Sequence, residues 1–300
     1  MEVNITNGKK PDISIVASAH RPQNWMKLHK SIGSNQVDFE LVFVGPTPAD
    51  YQLPENFRFI RSLVKPTQCL EIAFRNARAD LVMNIADDCE FATVNPLDKL
   101  YKLYQISNSD KVIISSRMMT NGQDQSDFAH RFFTSDKNSP LMPLSGLMSK
   151  ETYCDLGGID RNFIAIMWDL DLAMRVYSLG GKVVLSDVYL NENRDGNIET
   201  SLCSEFWKQD RGLLESLWTV NGKVCLSRKR PVEPFSDINI LDVSQGPRGR
   251  WRGNHPLIFE KMENGIKKAR LFLGKISRGI RKPKQYLYYF KKIAWRRESN

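Results

Sequence analysis

The chain has little cysteine and less histidine, and both shortages narrow what it can be. Five cysteines (Cys69, Cys89, Cys154, Cys203 and Cys225) are scattered with no CxxC pair, and their number is odd. That pattern argues against a disulfide scaffold or a zinc site and fits a reducing compartment. The four histidines, His20, His29, His130 and His255, show no metal-ligand spacing. No apolar run is long enough to span a bilayer. The opening "MEVNITNGKKPD" lacks the apolar core of a signal peptide. Internal repeats and low-complexity tracts are missing too. The expectation is a cytoplasmic chain.

What is there suffices for a sizeable core. Of 300 residues, 41% are hydrophobic, and the 26% charged fraction is ordinary for a soluble protein. The net charge of +9 is unevenly spread. Residues 261–300 hold thirteen Lys and Arg against two Glu, so this tail carries +11 and the first 260 residues −2. Such asymmetry points to a local task for the tail, at an anionic membrane surface or a nucleic acid.

Hydrophobic periodicity predicts strands over "ISIVAS" (13–18), "FELVFVG" (39–45), "FRFIRSLV" (57–64), "DLVMNIA" (80–86), "KVIISS" (111–116) and "KVVLSDVYL" (182–190). Helices are expected over 23–32, where Trp25, Leu28 and Ile32 share a face, and from Pro66 to about Ala79. A third runs through "SKETYCDLGGID", with Ser149 as N-cap and Gly157-Gly158 as the stop. "WDLDLAMRVYSLGG" (168–181) and "EFWKQDRGLLESLWTV" (205–220) supply two more. Residues 117–142 read as an irregular loop near a site, and 228–254 as a linker. Strands alternating with helices define an α/β class with a mostly parallel, Rossmann-like sheet. The domain expectation is a body over 1–220, a connector over 221–255 and a basic amphipathic helical tail over 256–300.

In open parallel sheets, ligands bind outside the carboxyl ends of the strands. "MNIADDCEF" sets Asp87, Asp88 and Glu90 directly after the fourth strand. Like charges so close together need water or a cation. Carboxylates there suit a hard divalent cation that also grips a diphosphate, or else form a solvated acidic loop. In "LGGIDRNFIAIMWDLDLAMR" (156–175), Asp169 opens a helix. It is either a charge favoured by the helix dipole or a general base facing the cleft. Asp171 and Arg175, four apart, suit a structural helix pair.

Four segments in order resemble the inverting family 2 glycosyltransferases, which have the GT-A fold. "DISIVASAHRPQNW" is similar to that family's opening strand and turn. "CLEIAFRNARADLVMNIADDCEF" resembles its Arg-Asn helix, the following strand and the DxD-type metal motif. "GLMSKETYCDLGGID" is similar to its acceptor-side glycine turn, and "WDLDLAMRVYSLGGKVVL" to its acidic motif and next helix. The resemblance spans roughly residues 11–220. It implies Asp88 as the metal-binding carboxylate with Asp87 beside it, or Asp88 and Glu90 as a D-x-E pair. It further implies Asp169 as catalytic base, and Arg75, Asn76, Ala17 and His20 on the donor side. His20 also reads as a plain turn histidine, and Arg75 and Asn76 as an exposed helix face. Three departures stand out: Ala86 and Trp168 at first acidic positions, and "FVGPTPAD" where acidic nucleotide contacts are usual.

The implied activity is transfer of a sugar from a nucleotide-sugar donor to a glycan or glycolipid hydroxyl, with Mn²⁺ or Mg²⁺ as cofactor. A nucleotidyltransferase on a similar fold and a degenerate GT-A binding module are the alternatives. In the tail, Met262, Ile266, Ala269, Leu273, Ile276 and Ile280 recur every three or four residues, and "QYLYYFKKIAWRR" adds five aromatics. Amphipathic, basic and aromatic together suggest a helix lying peripherally at the inner face of a membrane. A helix docked on the body is the alternative, and nucleic acid is the less expected partner.

Overall fold

The computed structural model describes residues 9–120, 122–124, 141–143, 145–160, 162–192, 202–220, 223–224, 261–262 and 264–273. The chain divides into two compact units, Met1–Asn254 and His255–Asn300.

The first unit alternates as the periodicity predicts: β1 (Ile13–Ser18), α1 (Pro22–Ile32), β2 (Phe39–Gly45), β3 (Phe57–Arg61), α2 (Pro66–Asn76), β4 (Leu81–Asn84). These four strands pair parallel in the order β3-β2-β1-β4. Both faces of the sheet are covered, which explains the nearly unbroken apolar runs. Ile13, Ile15 and Ala17 point into one core with Trp25 and Leu28 of α1. Val16 points into the other with Leu70, Ala73 and Phe74 of α2. Alternation along a strand sends successive side chains to opposite faces.

Beyond β4 come β5 (Cys89–Phe91), α3 (Pro96–Ile106), β6 (Val112–Thr120), β7 (Gln123–Asp124), β8 (Gly146–Ser149), α4 (Lys150–Asp155), α5 (Trp168–Ser178), β9 (Lys182–Glu192) and α6 (Leu202–Trp218). The full order is β3-β2-β1-β4-β8-β6-β9-β5, with β7 paired to β6. β8 lies antiparallel between β4 and β6, and β5 is antiparallel to β9. β6 and β9 run parallel. The architecture is therefore mixed α/β, helices on both faces of a nine-stranded sheet whose β3-β2-β1-β4 half is parallel and whose other half is mixed.

Several expectations need correction. Residues 117–120 are not loop but the end of β6, and 123–124 pair back onto it; residues 125–140 lie outside the described residues. α2 stops at Asn76 rather than near Ala79, because Ala77 turns extended (φ −59°, ψ 132°). The third strand ends at Arg61. Ser149 caps α4 as expected, its side chain accepting from Thr152 N. The linker at 228–254 and residues 274–300 of the tail lie outside the described residues. In the second unit, residues 264–273 are helical, with Ile266, Leu271, Phe272 and Leu273 all exposed. Among the described residues, no helix is long and apolar enough to cross a membrane.

Candidate functional site at the carboxyl edge of the sheet

β1 has β2 on one side and β4 on the other, and the chain leaves it toward β2. The order of strands reverses there, which opens a crevice outside the carboxyl ends of β1 and β4. Gly45 lets β2 close against this point, since a Cβ there would overlap the Ala19 carbonyl. The turn after β1 carries His20 and Arg21, and the turn after β4 carries Asp87 and Asp88.

The two turns are tied by charge. Asp87 Oδ2 accepts from the backbone N–H groups of His20 (2.6 Å) and Arg21 (2.7 Å). Arg21 donates Nε (3.0 Å) and Nη2 (2.6 Å) to Asp87 Oδ1, and Nη1 to Asp88 Oδ2. α1 has no acidic residue in its first turn and no side-chain cap. Asp87 supplies the negative charge that its N-terminus favours. Asp87 is therefore a staple whose oxygens are already committed.

Asp88 differs. It is buried, and its Oδ1 has no hydrogen-bond partner among the described residues. Burial raises its pKa above the usual carboxylate range; Arg21 pulls it down, while Asp87 and Glu192 push it up. Glu192 arrives at the end of β9, where it pairs across from Cys89, and it accepts from Thr120 Oγ1 (3.2 Å). Glu90 lies one residue on, opposite Asn191, so alternation puts it on the other face of β5 from Cys89 and Glu192. Among the described residues, no group of three or more His, Cys, Asp or Glu is gathered to hold a metal. Asp88 Oδ1, buried and without a hydrogen-bond partner, is the feature of this turn that suits a cation.

Asp169 stands on the same edge by topology. α5 ends at Ser178, and just beyond it Lys182 N bonds the Lys111 carbonyl at the start of β6 (3.0 Å). The amino end of α5 therefore points to the carboxyl edge. Two anchors hold the chain that leads into it. Thr67, at the start of α2, donates Oγ1 to the Phe163 carbonyl (2.5 Å) and its N–H to the Ile164 carbonyl (3.2 Å). Buried Asp210 of α6 accepts from the N–H groups of Ile164, Ala165 and Ile166 at 2.9, 2.9 and 3.0 Å. Met167, left-handed at φ 67°, is the N-cap. Asp169 is half-buried, and its Oδ1 accepts from Leu170 N (3.0 Å). Burial pushes its pKa up to about 6 against that bond and one from its own N–H. Trp168, at the departing acidic position, is a core residue packed edge-on to Phe74.

The remaining donor-side expectations divide. His20 is at the crevice, half-buried, with Nε2 3.4 Å from Ser18 Oγ. The Ala17 side chain is fully buried in the core beneath α1. Arg75 and Asn76 are on the wrong edge, and their assignment is corrected. α2 begins after the carboxyl end of β3 and so finishes at the amino edge. There Arg58, near the start of β3, donates to the Asn76 carbonyl (2.7 Å). Arg75 Nε pairs with buried Glu71 (2.8 Å), and Asn76 Nδ2 caps the Ile72 carbonyl (2.9 Å). Asp171 and Arg175 form the expected structural pair, fully buried at 3.1 Å. Arg21 and Glu192 had no assigned role. Arg21 left a signal: a basic residue at a helix start, before a first turn with no acid of its own, requires a counter-charge from elsewhere.

No protein-family model matches the chain, and no curated protein matches it. Among solved structures, residues 1–349 of TarS from S. aureus are similar at 15% identity and a TM-score of 0.47, over 68% of this chain and 64% of that one. The same TarS fragment in complex with UDP is similar at 16% identity and a TM-score of 0.47, over 60% of each chain. The mannosyltransferase PcManGT from Pyrobaculum calidifontis, in complex with GDP-Man and Mn²⁺, is similar at 14% identity and a TM-score of 0.49, over 68% of this chain and 61% of that one. The match spans less than two-thirds of each of these neighbours.

Proposed function

We propose that the chain is a nucleotide-sugar-dependent glycosyltransferase acting with inversion. One observation carries the reading: the carboxyl edge of the sheet holds two carboxylates that the fold leaves chemically open, Asp88 with its bare Oδ1 and Asp169 with its raised pKa. Asp88 would hold a divalent cation, Mn²⁺ or Mg²⁺, while Asp87 beside it keeps the His20-Arg21 turn in place. When bound, that ion neutralises the charge on a departing nucleoside diphosphate. The His20 turn borders the same crevice. Asp169 takes the proton of an acceptor hydroxyl, from a glycan or glycolipid, as that oxygen attacks C1 opposite the leaving group. One displacement of this kind inverts the anomeric centre. A pKa of about 6 leaves Asp169 ionised at neutral pH yet more basic than an ordinary aspartate.

The deciding experiment is a screen of UDP-, GDP-, CMP- and dTDP-sugars with Mn²⁺, following release of nucleotide. Release of a nucleoside diphosphate, or of CMP from a CMP-sugar, is expected. Pyrophosphate formed from a nucleoside triphosphate would instead identify a nucleotidyltransferase. Binding without turnover would identify a binding module.

The tail extends the proposal to a peripheral site on an anionic membrane. The exposed apolar residues Ile266, Leu271, Phe272 and Leu273 flank exposed Lys267, Lys268 and Arg270 on either side. Replacing those three cations with Gln should weaken binding to phosphatidylserine liposomes, each charge being worth about 1 kcal/mol. Unchanged binding, or a preference for RNA over liposomes, would reject a membrane role.

A further inference from the structure

Arg21 is the cation already present at the acid pair. Its guanidinium reaches Asp87 Oδ1 through Nε (3.0 Å) and Nη2 (2.6 Å), and Asp88 Oδ2 through Nη1. The carboxylates are 2% and 6% exposed, whereas the Arg21 side chain is 45% exposed. A buried pair is thus partly neutralised by a side chain that reaches it from the solvent-exposed side. One guanidinium against two carboxylates leaves a negative balance, and Glu192 adds to it at Asp88. A diphosphate arriving alone meets net repulsion, while a cation is attracted to the bare Asp88 Oδ1.

We propose that Arg21 is an exchangeable counter-ion. In the empty site it occupies Asp88 Oδ2. A divalent cation taken up at Asp88 repels the guanidinium from that oxygen. Arg21 stays tethered at the start of α1 beside Asp87, and its freed N–H groups turn to the donor's diphosphate. Cation and diphosphate then strengthen each other's binding, and the coupling must be reciprocal. The proposal rests on reading this crevice as the donor site, and its test separates the two.

The test uses the full chain as wild type, Arg21→Gln and Arg21→Lys. Free Mn²⁺ is followed by electron paramagnetic resonance, first alone and then with UDP, GDP or inorganic pyrophosphate. Wild type should bind Mn²⁺ weakly alone and more tightly with a diphosphate. Arg21→Gln should bind Mn²⁺ alone roughly tenfold more tightly, because a like charge has gone. Its Mn²⁺-diphosphate binding should weaken, shrinking the coupling. Its melting temperature should fall without Mn²⁺ and recover with it. Arg21→Lys keeps the charge but cannot fork across both carboxylates, so its Mn²⁺ affinity should fall between the others. If the Gln variant does not fold, the Lys variant decides. Mn²⁺ affinity unchanged or weakened in a folded variant overturns the proposal. If Mn²⁺ responds as expected but no nucleoside diphosphate binds any form, the exchange stands and the donor-site reading fails.

Discussion

The two edges of the central sheet treat a buried carboxylate in opposite ways. At the amino edge, Glu40 is fully buried at the second position of β2. It accepts from Ser14 Oγ (2.6 Å), Arg78 N (2.7 Å), Arg78 Nε (2.8 Å) and Arg58 Nε and Nη2 (3.1 and 3.0 Å). Burial alone would raise its pKa. The bonds from Ser14 and the Arg78 amide, with the charges of Arg58 and Arg78, bring it below the usual value instead. At the carboxyl edge, Asp88 keeps a bare oxygen and Asp169 has backbone amides alone, and both pKa values rise. A saturated carboxylate holds strands together. An unsaturated one costs stability, and that unspent capacity is what binding and proton transfer need.

The largest expected effect tests the open side. Asp169→Asn should lower turnover roughly 10²–10⁴-fold with donor affinity little changed. Its stability should move the other way. The folded pKa, about 6, lies above the ordinary 3.8. The folded chain therefore binds the Asp169 proton more tightly, and stability falls as pH rises through that window. The full penalty at neutral pH is up to about 3 kcal/mol. The Asn variant should thus melt above wild type at about pH 8 and level with it at about pH 4. Near-normal turnover in a folded Asn variant would make Asp169 a helix-start charge and nothing more.

Glu40→Gln probes the saturated side. Removing that charge should destabilise the fold by about 3 kcal/mol, leaving two arginines without their partner. Because the Glu40 pKa is lowered, the stability it contributes is present at neutral pH and lost as pH falls through the folded value. The gap between variant and wild type should therefore close in acid. Equal loss of donor affinity and of stability would erase the distinction between the edges.

The smaller effects sort the acidic cluster itself. Asp88→Ala should weaken Mn²⁺-dependent nucleotide binding by at least about tenfold, and EDTA should do the same to wild type. Glu90→Ala, on the other face of β5, should change it less than about threefold. Full transfer in EDTA, or the reverse order of the two variants, would remove the cation from the Asp88 assignment.

Elements with a strong local pattern are legible in the sequence. β1 and β2 are apolar runs that suit a sheet covered on both faces, and Ser149 announces α4 by its own side chain. β5, "CEF", and β8, "GLMS", are too short to carry a period, and they are strands because β9, β4 and β6 lie beside them. α3 went unread because Asn95, left-handed at φ 51°, begins it without a side-chain cap. Arg75 and Asn76 were placed on the correct helix but misassigned to the donor side. A motif names residues, whereas the direction of α2 between parallel strands decides which edge its last turn reaches.

Hydrophobic period and capping chemistry are properties of neighbours in the chain, so the α/β alternation, the carboxylates after β4 and the acid at the start of α5 follow from local order alone. Ionisation and ligand readiness are set within a few ångströms, by groups that folding brings from far away. Arg21 reaches Asp88 across 67 positions, and Asp210 seizes the Ile164 amide across 46. Only the tertiary structure could decide that Glu40 is sealed, that Asp87 is a staple, and that Asp88 and Asp169 remain open.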